Sequence, residues 1–121
     1  LMEFTQQSAN QNTVISISES TITLSQAQLK IPCFISSNRA EEISISSLQE
    51  ITKETLFPLL SQDSLNLLII GTGKQSKFLS PKQQVALSEL GLGVECMNNI
   101  SACSSFNLLL SDLRLVGLLI L

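Results

Sequence analysis

Apolar and polar residues follow three different patterns along the chain, and each pattern predicts a different kind of element. Residues 14–25 alternate between apolar and polar side chains, which predicts two half-buried strands. Residues 67–70 form a short aliphatic run without charge, which is typical of a strand covered on both faces, as parallel strands are. Residues 81–90 have helical character behind a capping signal. The chain therefore combines half-buried strands, a buried strand and helices.

Further short strands and loops follow the first two strands. Residues 29–35 predict another strand, in which Pro32 requires an edge or bulge position because it has no N–H to donate. Residues 36–42 are polar and predict a loop, and residues 43–45 resume the alternation of a strand. The amino-terminal half thus contributes several strands before the first helix.

The first helix is predicted within residues 47–60, where apolar side chains recur at helical spacing. Thr52 has the character of an N-cap, so the helix proper is expected over residues 53–60. Pro58 cannot donate an intrahelical hydrogen bond, and we expect it to kink the helix or to end it early.

The second helix has the clearest start signal in the chain. Ser80 stands at the N-cap position, Pro81 at the first helical position, and Gln83 where a capping box requires Glu or Gln. Gly91 follows as a residue that tolerates the left-handed conformation of a helix C-terminus. These signals predict a helix over residues 81–90.

The last third of the chain predicts a strand over residues 94–97, a helix over residues 102–110 capped by Asn99 or Ser101, and a strand over residues 115–121. Together with the buried strand and helix before them, these elements alternate as βαβαβ, which predicts right-handed crossovers and a mostly parallel sheet. The expected fold class is a layered α/β domain with antiparallel strands in its amino-terminal half. The residues expected in its core include Leu68, Ile69, Val94, Leu108 and Leu119.

Composition sets the number of domains and excludes two classes of surface. A chain of 121 residues with 44% hydrophobic content suffices for one domain, which we place at residues 13–121. Residues 1–12 are polar and lack apolar periodicity, which predicts a disordered arm or an expression remnant. A net charge of -3 argues against nucleic-acid binding. Without an apolar run of about 18 residues, no transmembrane helix is expected, and the chain should be soluble.

The supply of reactive side chains is small. The chain contains no histidine, which removes the commonest metal ligand and the usual general base of a serine or cysteine nucleophile. Cys33, Cys96 and Cys103 are too few and too scattered for a disulfide scaffold, which favours a reducing compartment. We therefore expect a cytoplasmic domain with no metal site, no cofactor and no catalytic residues.

One motif invites a ligand hypothesis. Gly71-Thr72-Gly73 follows the predicted buried strand, at the carboxyl end where open α/β sheets bind ligands. Against a dinucleotide site, Ser76 stands where the fingerprint needs a third glycine, and the next helix begins only at Pro81. The alternative interpretation, a sharp turn that needs positive φ or close backbone approach, is the one the sequence favours.

A cationic segment accompanies this loop. Lys74, Lys77 and Lys82 follow one another without an intervening acid, and with the N–H groups at the Ser80 helix start they could hold a phosphate or carboxylate. Such a run is more often a solvated surface. Cys103 falls in the first turn of a predicted helix, where a thiol pKa is lowered, although a buried core cysteine is the commoner case.

Several blocks of sequence resemble a known family. These blocks are residues 67–73 (Leu-Leu-Ile-Ile-Gly-Thr-Gly), 78–81 (Phe-Leu-Ser-Pro), 91–95 (Gly-Leu-Gly-Val-Glu) and 101–110 (Ser-Ala-Cys-Ser-Ser-Phe-Asn-Leu-Leu-Leu). In this order they are similar to the domain of unknown function shared by the mitochondrial complex I assembly factor 3 and uncharacterised bacterial proteins. The match spans roughly residues 47–121, and several spaced blocks in order form a specific signal.

The resemblance implies a compact three-layer domain with a β-hammerhead-like portion and supplies no catalytic residue. Two of its blocks, Gly71-Thr72-Gly73 and the block that contains Cys103 and Asn107, each follow a parallel strand and are expected to meet at one cleft. The ligand hypothesis therefore groups eight residues: Gly71, Thr72, Gly73, Lys74, Lys77, Ser80, Cys103 and Asn107.

Two functions follow from these observations. The first is a non-catalytic protein-interaction or assembly-type module with an unknown protein partner, which the resemblance and the lack of a catalytic constellation favour. The alternative is a binder of a small anion or nucleotide, or an enzyme, that uses the Gly71-Thr72-Gly73 loop. The sequence leaves a homo-oligomer open in either case.

Overall fold

The computed structural model describes residues 2–3 and 12–121. Three α-helices, one 3₁₀ turn and nine β-strands occur among these residues. In chain order they are β1 (Met2–Glu3), β2 (Val14–Ile17), β3 (Thr21–Leu24), β4 (Gln28–Lys30), β5 (Cys33–Ile35), β6 (Ala40–Glu42), the 3₁₀ turn (Leu48–Glu50), α1 (Lys53–Leu60), β7 (Leu67–Gly71), α2 (Pro81–Ser88), β8 (Gly93–Met97), α3 (Asn99–Ser111) and β9 (Val116–Ile120).

The strands form two sheets. The first sheet is antiparallel, in the order β1-β2-β3-β4, and the second is mixed, in the order β6-β5-β9-β7-β8. β7 pairs in parallel with both β8 and β9, so that Ile69 lies opposite Glu95 on one side and Leu118 on the other. The predicted βαβαβ half with its parallel strands is therefore confirmed, as are the antiparallel amino-terminal strands.

The second sheet is covered on both faces, which gives the domain three layers. One face packs against α3 and the first sheet, in a core that includes Ile69 and Phe106. The other face packs against α1 and α2, in a core that includes Leu68, Ile70 and Leu87. Because successive residues of a strand point to opposite faces, the run Leu68-Ile69-Ile70 supplies both cores. The predicted layered α/β class is confirmed.

The predicted starts of α1 and α2 are confirmed. Thr52 caps α1, where its hydroxyl accepts the N–H of Thr55 at 3.0 Å, and Ser80 caps α2 through the N–H of Gln83 at 3.1 Å. Capping satisfies backbone donors that have no partner inside the helix. α1 does not end at Pro58, as one of our alternatives required, but continues to Leu60.

The prediction for residues 29–42 is wrong in two respects. Residues 29–35 do not form one strand, because β4 ends at Lys30 and β5 begins at Cys33 in the other sheet, with a cis peptide bond between Ile31 and Pro32. Residues 36–42 are not a continuous loop, because β6 pairs antiparallel with β5. β6 is an edge strand of the sequence Ala-Glu-Glu, so it lacks the alternation that would have revealed it. Residues 43–45, which we predicted as a strand, form none.

Two helix boundaries also differ from prediction. α3 begins at Asn99 rather than residue 102, because Asn98 is the N-cap and its Oδ1 accepts the N–H of Ser101 at 2.9 Å. α2 ends at Ser88, two residues short of the predicted end, while Gly91 adopts the expected positive φ of +67°.

Four of the five predicted core residues contribute to the core, and Leu108 does not. Leu68, Ile69 and Leu119 are fully buried and Val94 is half-buried, whereas Leu108 is 60% exposed. The inward face of α3 carries Ala102, Cys103, Phe106, Asn107 and Leu110. At about 100° per residue, Leu108 points away from that face.

Most of the predicted disordered arm over residues 1–12 lies outside the described residues. Within it, Met2 and Glu3 pair with β2, with Met2 opposite Ile17. Asn12 is buried and donates from Nδ2 to the carbonyl oxygen of Ser36 at 2.6 Å. These three residues contact the domain, which the sequence pattern did not indicate.

Candidate functional site

The glycine loop lies at the carboxyl edge of the parallel strands, as predicted. Gly71 is the last residue of β7, and its carbonyl oxygen accepts the N–H of Leu121, just past β9, at 3.1 Å. Thr72 donates its N–H to Met97, the last residue of β8, at 2.9 Å. The three strand ends therefore meet at this loop, where ligands bind in many open α/β sheets.

The two glycines of the loop are required for different reasons. Gly73 has a φ of +96°, a conformation that side chains with a Cβ rarely adopt. Gly71 has an ordinary φ, but a Cβ there would lie 2.6 Å from both Asn99 Oδ1 and Ile120 Cδ1. The turn interpretation of the motif is thus confirmed: one glycine provides the backbone conformation and the other provides room for α3.

Several polar groups of the loop form hydrogen bonds within the domain. The Gly73 N–H donates to Asn99 Oδ1 at 2.9 Å, and its carbonyl oxygen accepts the Asn99 N–H at 2.8 Å. The Thr72 hydroxyl donates to the carbonyl oxygen of Gln75 at 2.7 Å and accepts the N–H of Lys77 at 3.0 Å. The N–H groups of Thr72, Gly73 and Lys77 therefore already have partners and are not open to an anion.

A cavity of about 520 Å³ lies beside the loop, between the β2–β3 turn and the start of α3. Ile17, Ile100 and Leu121 contribute apolar walls, and Lys74 and Asn98 contribute polar groups. This cavity, which we call the loop cavity, is the place where Gly73 and Lys74 of the ligand hypothesis come together. Its volume is within the range of small-molecule sites.

A surface ion pair flanks the loop cavity. Lys74 Nζ lies 2.9 Å from Glu19 Oε1, and both side chains are more than 80% exposed. The hydrogen bond and the charge of Lys74 lower the pKa of Glu19, and those of Glu19 raise the pKa of Lys74. The positive charge expected at this loop is therefore largely offset.

The structure does not bring the remaining candidate residues to the loop cavity. Lys77 and Ser80 line a separate hollow of about 560 Å³ beside the 3₁₀ turn, together with Gln49 and Phe78. The Ser80 hydroxyl is occupied as the cap of α2. The predicted cationic cluster is therefore divided between different parts of the surface.

Asn107 does not face the loop cavity, so its predicted convergence with Lys74 is wrong. Its side chain is 4% exposed, accepts the N–H of Val14 at Oδ1 (2.8 Å) and donates from Nδ2 to the Val14 carbonyl oxygen (2.9 Å). Asn107 lies two helical turns beyond Asn99, where α3 contacts β2. Its role is to join the two elements.

Cys103 is a core residue. Because α3 begins at Asn99, Cys103 falls in the second helical turn rather than the first, and its side chain is fully buried. Burial, and secondarily the neighbouring Cys33, raises the pKa of its thiol to about 12. Burial likewise raises the pKa of Cys33 to about 12. Thiols of this kind are poor nucleophiles.

The outer edge of β8 was not predicted from the sequence. In the second sheet β8 is the last strand, and it pairs only with β7. Gly93 donates its N–H to the carbonyl oxygen of Asn66, and Met97 accepts the N–H of Thr72. The backbone N–H and C=O groups alternate in direction along a strand. Those of Glu95 therefore also point towards β7, and those of Val94 and Cys96 point outward, away from the sheet. Within the described residues, these outward groups have no hydrogen-bond partner.

Side chains on both faces of the sheet frame this edge. On the α2 face, Phe78 is 71% exposed and borders a hollow of about 280 Å³ with Val94 and Cys96. On the other face, the exposed Glu95 carboxylate forms no ion pair with any described residue. An acid inside a parallel strand was the one available signal, because parallel strands covered on both sides are nearly continuous apolar runs.

The described part of the chain offers little other site chemistry. Residues 2–3 and 12–121 contain no group of three or more His, Cys, Asp or Glu side chains that could hold a metal ion. None of the helices in these residues combines the length and apolarity needed to cross a membrane.

The chain is similar to complex I assembly proteins in sequence. NADH dehydrogenase [ubiquinone] 1 alpha subcomplex assembly factor 3 of Mus musculus is 30% identical over 88 residues, which cover 71% of this chain and 47% of the mouse protein. The Homo sapiens protein of the same name is 28% identical over 88 residues, with the same coverage. The chain thus spans about half the length of the curated relatives that it matches.

Solved structures share the fold. A Bordetella parapertussis protein superposes with a TM-score of 0.80 at 24% identity, over 93% of this chain and 97% of that one. A Bordetella pertussis protein described as an Mth938-like domain gives a TM-score of 0.74 at 20% identity, over 100% and 92%. The family model described as "Protein of unknown function (DUF498/DUF598)" matches residues 14–121, almost the whole described chain. The chain therefore belongs to the DUF498/DUF598 family, in agreement with the resemblance seen in its sequence blocks.

Proposed function

We propose that this chain is a non-catalytic, assembly-type module that binds another protein. The observation that carries the proposal is the open outer edge of β8, where the N–H and C=O groups of Val94 and Cys96 lack partners among the described residues. Unpaired groups on an edge strand form a template for a strand of another chain. A relative at 30% identity is named as an assembly factor, and assembly requires contacts between proteins.

The distribution of reactive groups supports a non-catalytic role. Burial raises the pKa of the Cys33 and Cys103 thiols to about 12, and the chain has no histidine that could act as a base. Of the acids near the loop cavity, Glu19 is paired with Lys74. The chain therefore contains no thiol–imidazole or hydroxyl–imidazole pair of the kind that activates a nucleophile in covalent catalysis.

Photo-crosslinking in cells of the source organism tests the proposal. A photoreactive amino acid replaces Glu95 on the β8 edge, and a matched control replaces Gln28, which is exposed on β4 at the edge of the first sheet. We expect a discrete adduct with a second protein from position 95 and none from position 28. The adduct should disappear when Val94→Pro is added, since proline removes an outward N–H without removing a bond to β7. Equal labelling from both positions, or labelling unaffected by Val94→Pro, contradicts the proposal.

The loop cavity supports a second candidate function, the binding of a small anion. Its position at the carboxyl ends of three parallel-sheet strands and the exposed Lys74 side chain favour this function. The Lys74–Glu19 ion pair opposes it, because Lys74 must leave Glu19 to face a ligand.

A thermal-shift screen separates this second function from the first. Nucleotides and organic anions are added to the wild type and to Glu19→Gln, which frees Lys74. A ligand at about 100 times its Kd should stabilise the protein by about 2.7 kcal/mol. Anion binding predicts a larger shift in Glu19→Gln and none in Lys74→Ala. The same small shift in all three proteins rules out the loop cavity as an anion site.

A further inference from the structure

We infer that the segment bound at the β8 edge is an extended strand of another protein with alternating apolar and basic side chains, an inference that rests on the proposed function. Three features of the edge lead to it: the spacing of its free backbone groups, the apolar hollow beside Phe78, and the exposed carboxylate of Glu95 on the opposite face.

The backbone requires an extended segment. Val94 and Cys96 each present one N–H and one C=O group outward, two residues apart along β8. A helix satisfies its own backbone groups and cannot pair with these four, whereas a strand repeats its donors and acceptors at the same two-residue interval. The interaction therefore belongs to the strand-addition mode of peptide recognition.

The α2 face of the edge selects apolar side chains. Phe78, Leu79, Gln84 of α2 and residues 94–97 of β8 border the hollow of about 280 Å³, and the side chains of Val94 and Cys96 belong to its apolar part. Phe78 is 71% exposed, so an apolar side chain in the hollow would cover aromatic surface that now faces solvent. Covering apolar surface in this way is the main driving force for protein association.

The opposite face selects a basic side chain. Glu95 is exposed at the centre of β8, and Ile69, its partner in β7, carries no charge. The lysines that form ion pairs elsewhere, Lys53 and Lys74, are bound to Glu89 and Glu19. A lysine or arginine directly across from Glu95 would form a favourable cross-strand pair. Because neighbouring residues of a strand point to opposite faces, the bound segment alternates between the two residue types.

The same carboxylate argues against a second copy of this chain as the occupant. In an antiparallel pair of β8 strands centred on the middle residue, Glu95 would lie opposite Glu95 of the other copy. Like charges directly across a strand pair are destabilising. The net charge of -3 on each chain adds to the repulsion between copies.

Peptide binding to the whole chain tests the inference. The probe is a fluorescent seven-residue peptide of alternating lysine and valine, used in the concentration range where it remains monomeric. One control peptide has the same composition in two blocks, and a second carries N-methyl groups on alternate amides, which removes its hydrogen-bond donors on one edge. We expect the alternating peptide to bind, and both controls to bind at least about ten-fold more weakly, because a strand pair needs both the alternation and the amides.

A charge exchange makes the test specific for Glu95. We expect Glu95→Lys to weaken the lysine-valine peptide by about five-fold and to strengthen a glutamate-valine peptide to a similar extent, as rim charges do. Gln28→Lys on β4 is the matched control and should change neither affinity. Circular dichroism of each variant confirms that it folds.

Three outcomes overturn the inference: equal binding of the alternating and block peptides, binding unaffected by N-methylation, or a sedimentation experiment that finds a dimer abolished by Val94→Pro. Its failure is distinguishable from that of the proposed function. If position 95 still crosslinks to a second protein while the peptides show no selectivity, the chemistry of the segment is wrong and the interaction module stands. If position 95 forms no crosslink and the peptides show no selectivity, both the inference and the proposed function are wrong.

Discussion

Asn107 in α3 binds both backbone groups of Val14 in β2, 93 residues earlier in the chain. Its Oδ1 accepts the Val14 N–H at 2.8 Å, and its Nδ2 donates to the Val14 carbonyl oxygen at 2.9 Å. The amide side chain thereby acts as a short extra strand beside β2. Because both residues are buried, water cannot replace these bonds, and they fix the first sheet against α3.

Replacing Asn107 with alanine should therefore be strongly destabilising. The substitution leaves a buried N–H and a buried C=O without partners, which costs about 2–4 kcal/mol of unfolding free energy. Urea denaturation measures the loss. Leu108→Ala, at the neighbouring exposed position, is the control and should change stability by no more than about 0.5 kcal/mol. A similar small loss for both variants would show that the Val14 bonds contribute little.

Alanine and asparagine should be tolerated in opposite order at the two glycines of the loop. At Gly73, where φ is +96°, asparagine should be tolerated better than alanine, because asparagine adopts positive φ more readily. At Gly71, the larger asparagine should be worse than alanine, because even a Cβ lies 2.6 Å from Asn99 Oδ1. We expect losses of about 1–3 kcal/mol, measured by urea denaturation. The same order at both positions contradicts this division of roles.

Leu113 offers a stabilising substitution. It has a φ of +60° at the end of α3, and its side chain is 90% exposed. The N–H of Arg114 bonds to the carbonyl oxygen of Leu109, which is the pattern of a helix C-terminus that normally carries glycine. We expect Leu113→Gly to raise the free energy of unfolding by about 0.5–1 kcal/mol. Leu113→Ala keeps a Cβ at positive φ and should give no such gain. If alanine and glycine raise the free energy of unfolding equally, the effect comes from removing the exposed leucine side chain and not from the positive φ.

The three thiols should differ in reactivity. Cys33 and Cys103 are fully buried, while Cys96 is partly exposed at the β8 edge. Mass spectrometry after brief alkylation at neutral pH should find Cys96 labelled first, and the other two only under conditions that unfold the protein. Rapid labelling of Cys103 in the native protein would place it outside the core.

The same burial predicts a loss of stability at alkaline pH. Burial raises the pKa of Cys33 and Cys103 from an unfolded value of 9.0 to about 12, so the folded state keeps protons that the unfolded state releases. The stabilisation is therefore complete below about pH 9 and falls as the pH rises from 9 towards 12. Unfolding free energies measured across this range should fall less steeply in Cys103→Ala than in the wild type. Parallel curves for the two proteins would contradict the prediction.

Local signals in the sequence determined much of the carboxyl-terminal half. The apolar run of β7 and the Ser80 capping box of α2 depend on neighbouring residues, and both were predicted close to their observed positions. Gly73 was equally readable, because a turn that needs positive φ has a strong preference for glycine. The resemblance of spaced blocks then identified the family, since it uses order along the chain and needs no contacts.

Only the tertiary structure decided which surfaces these elements present. Asn107 was assigned to a cleft because it follows a parallel strand, yet the packing of α3 on β2 gives its amide to Val14. The strand order β6-β5-β9-β7-β8 places β8 at an edge, and sequence order carries no such information because crossovers reorder the strands. Capping and periodicity act over a few residues, whereas pairing and packing join residues far apart in the chain, so the open edge of β8 became visible only in the folded domain.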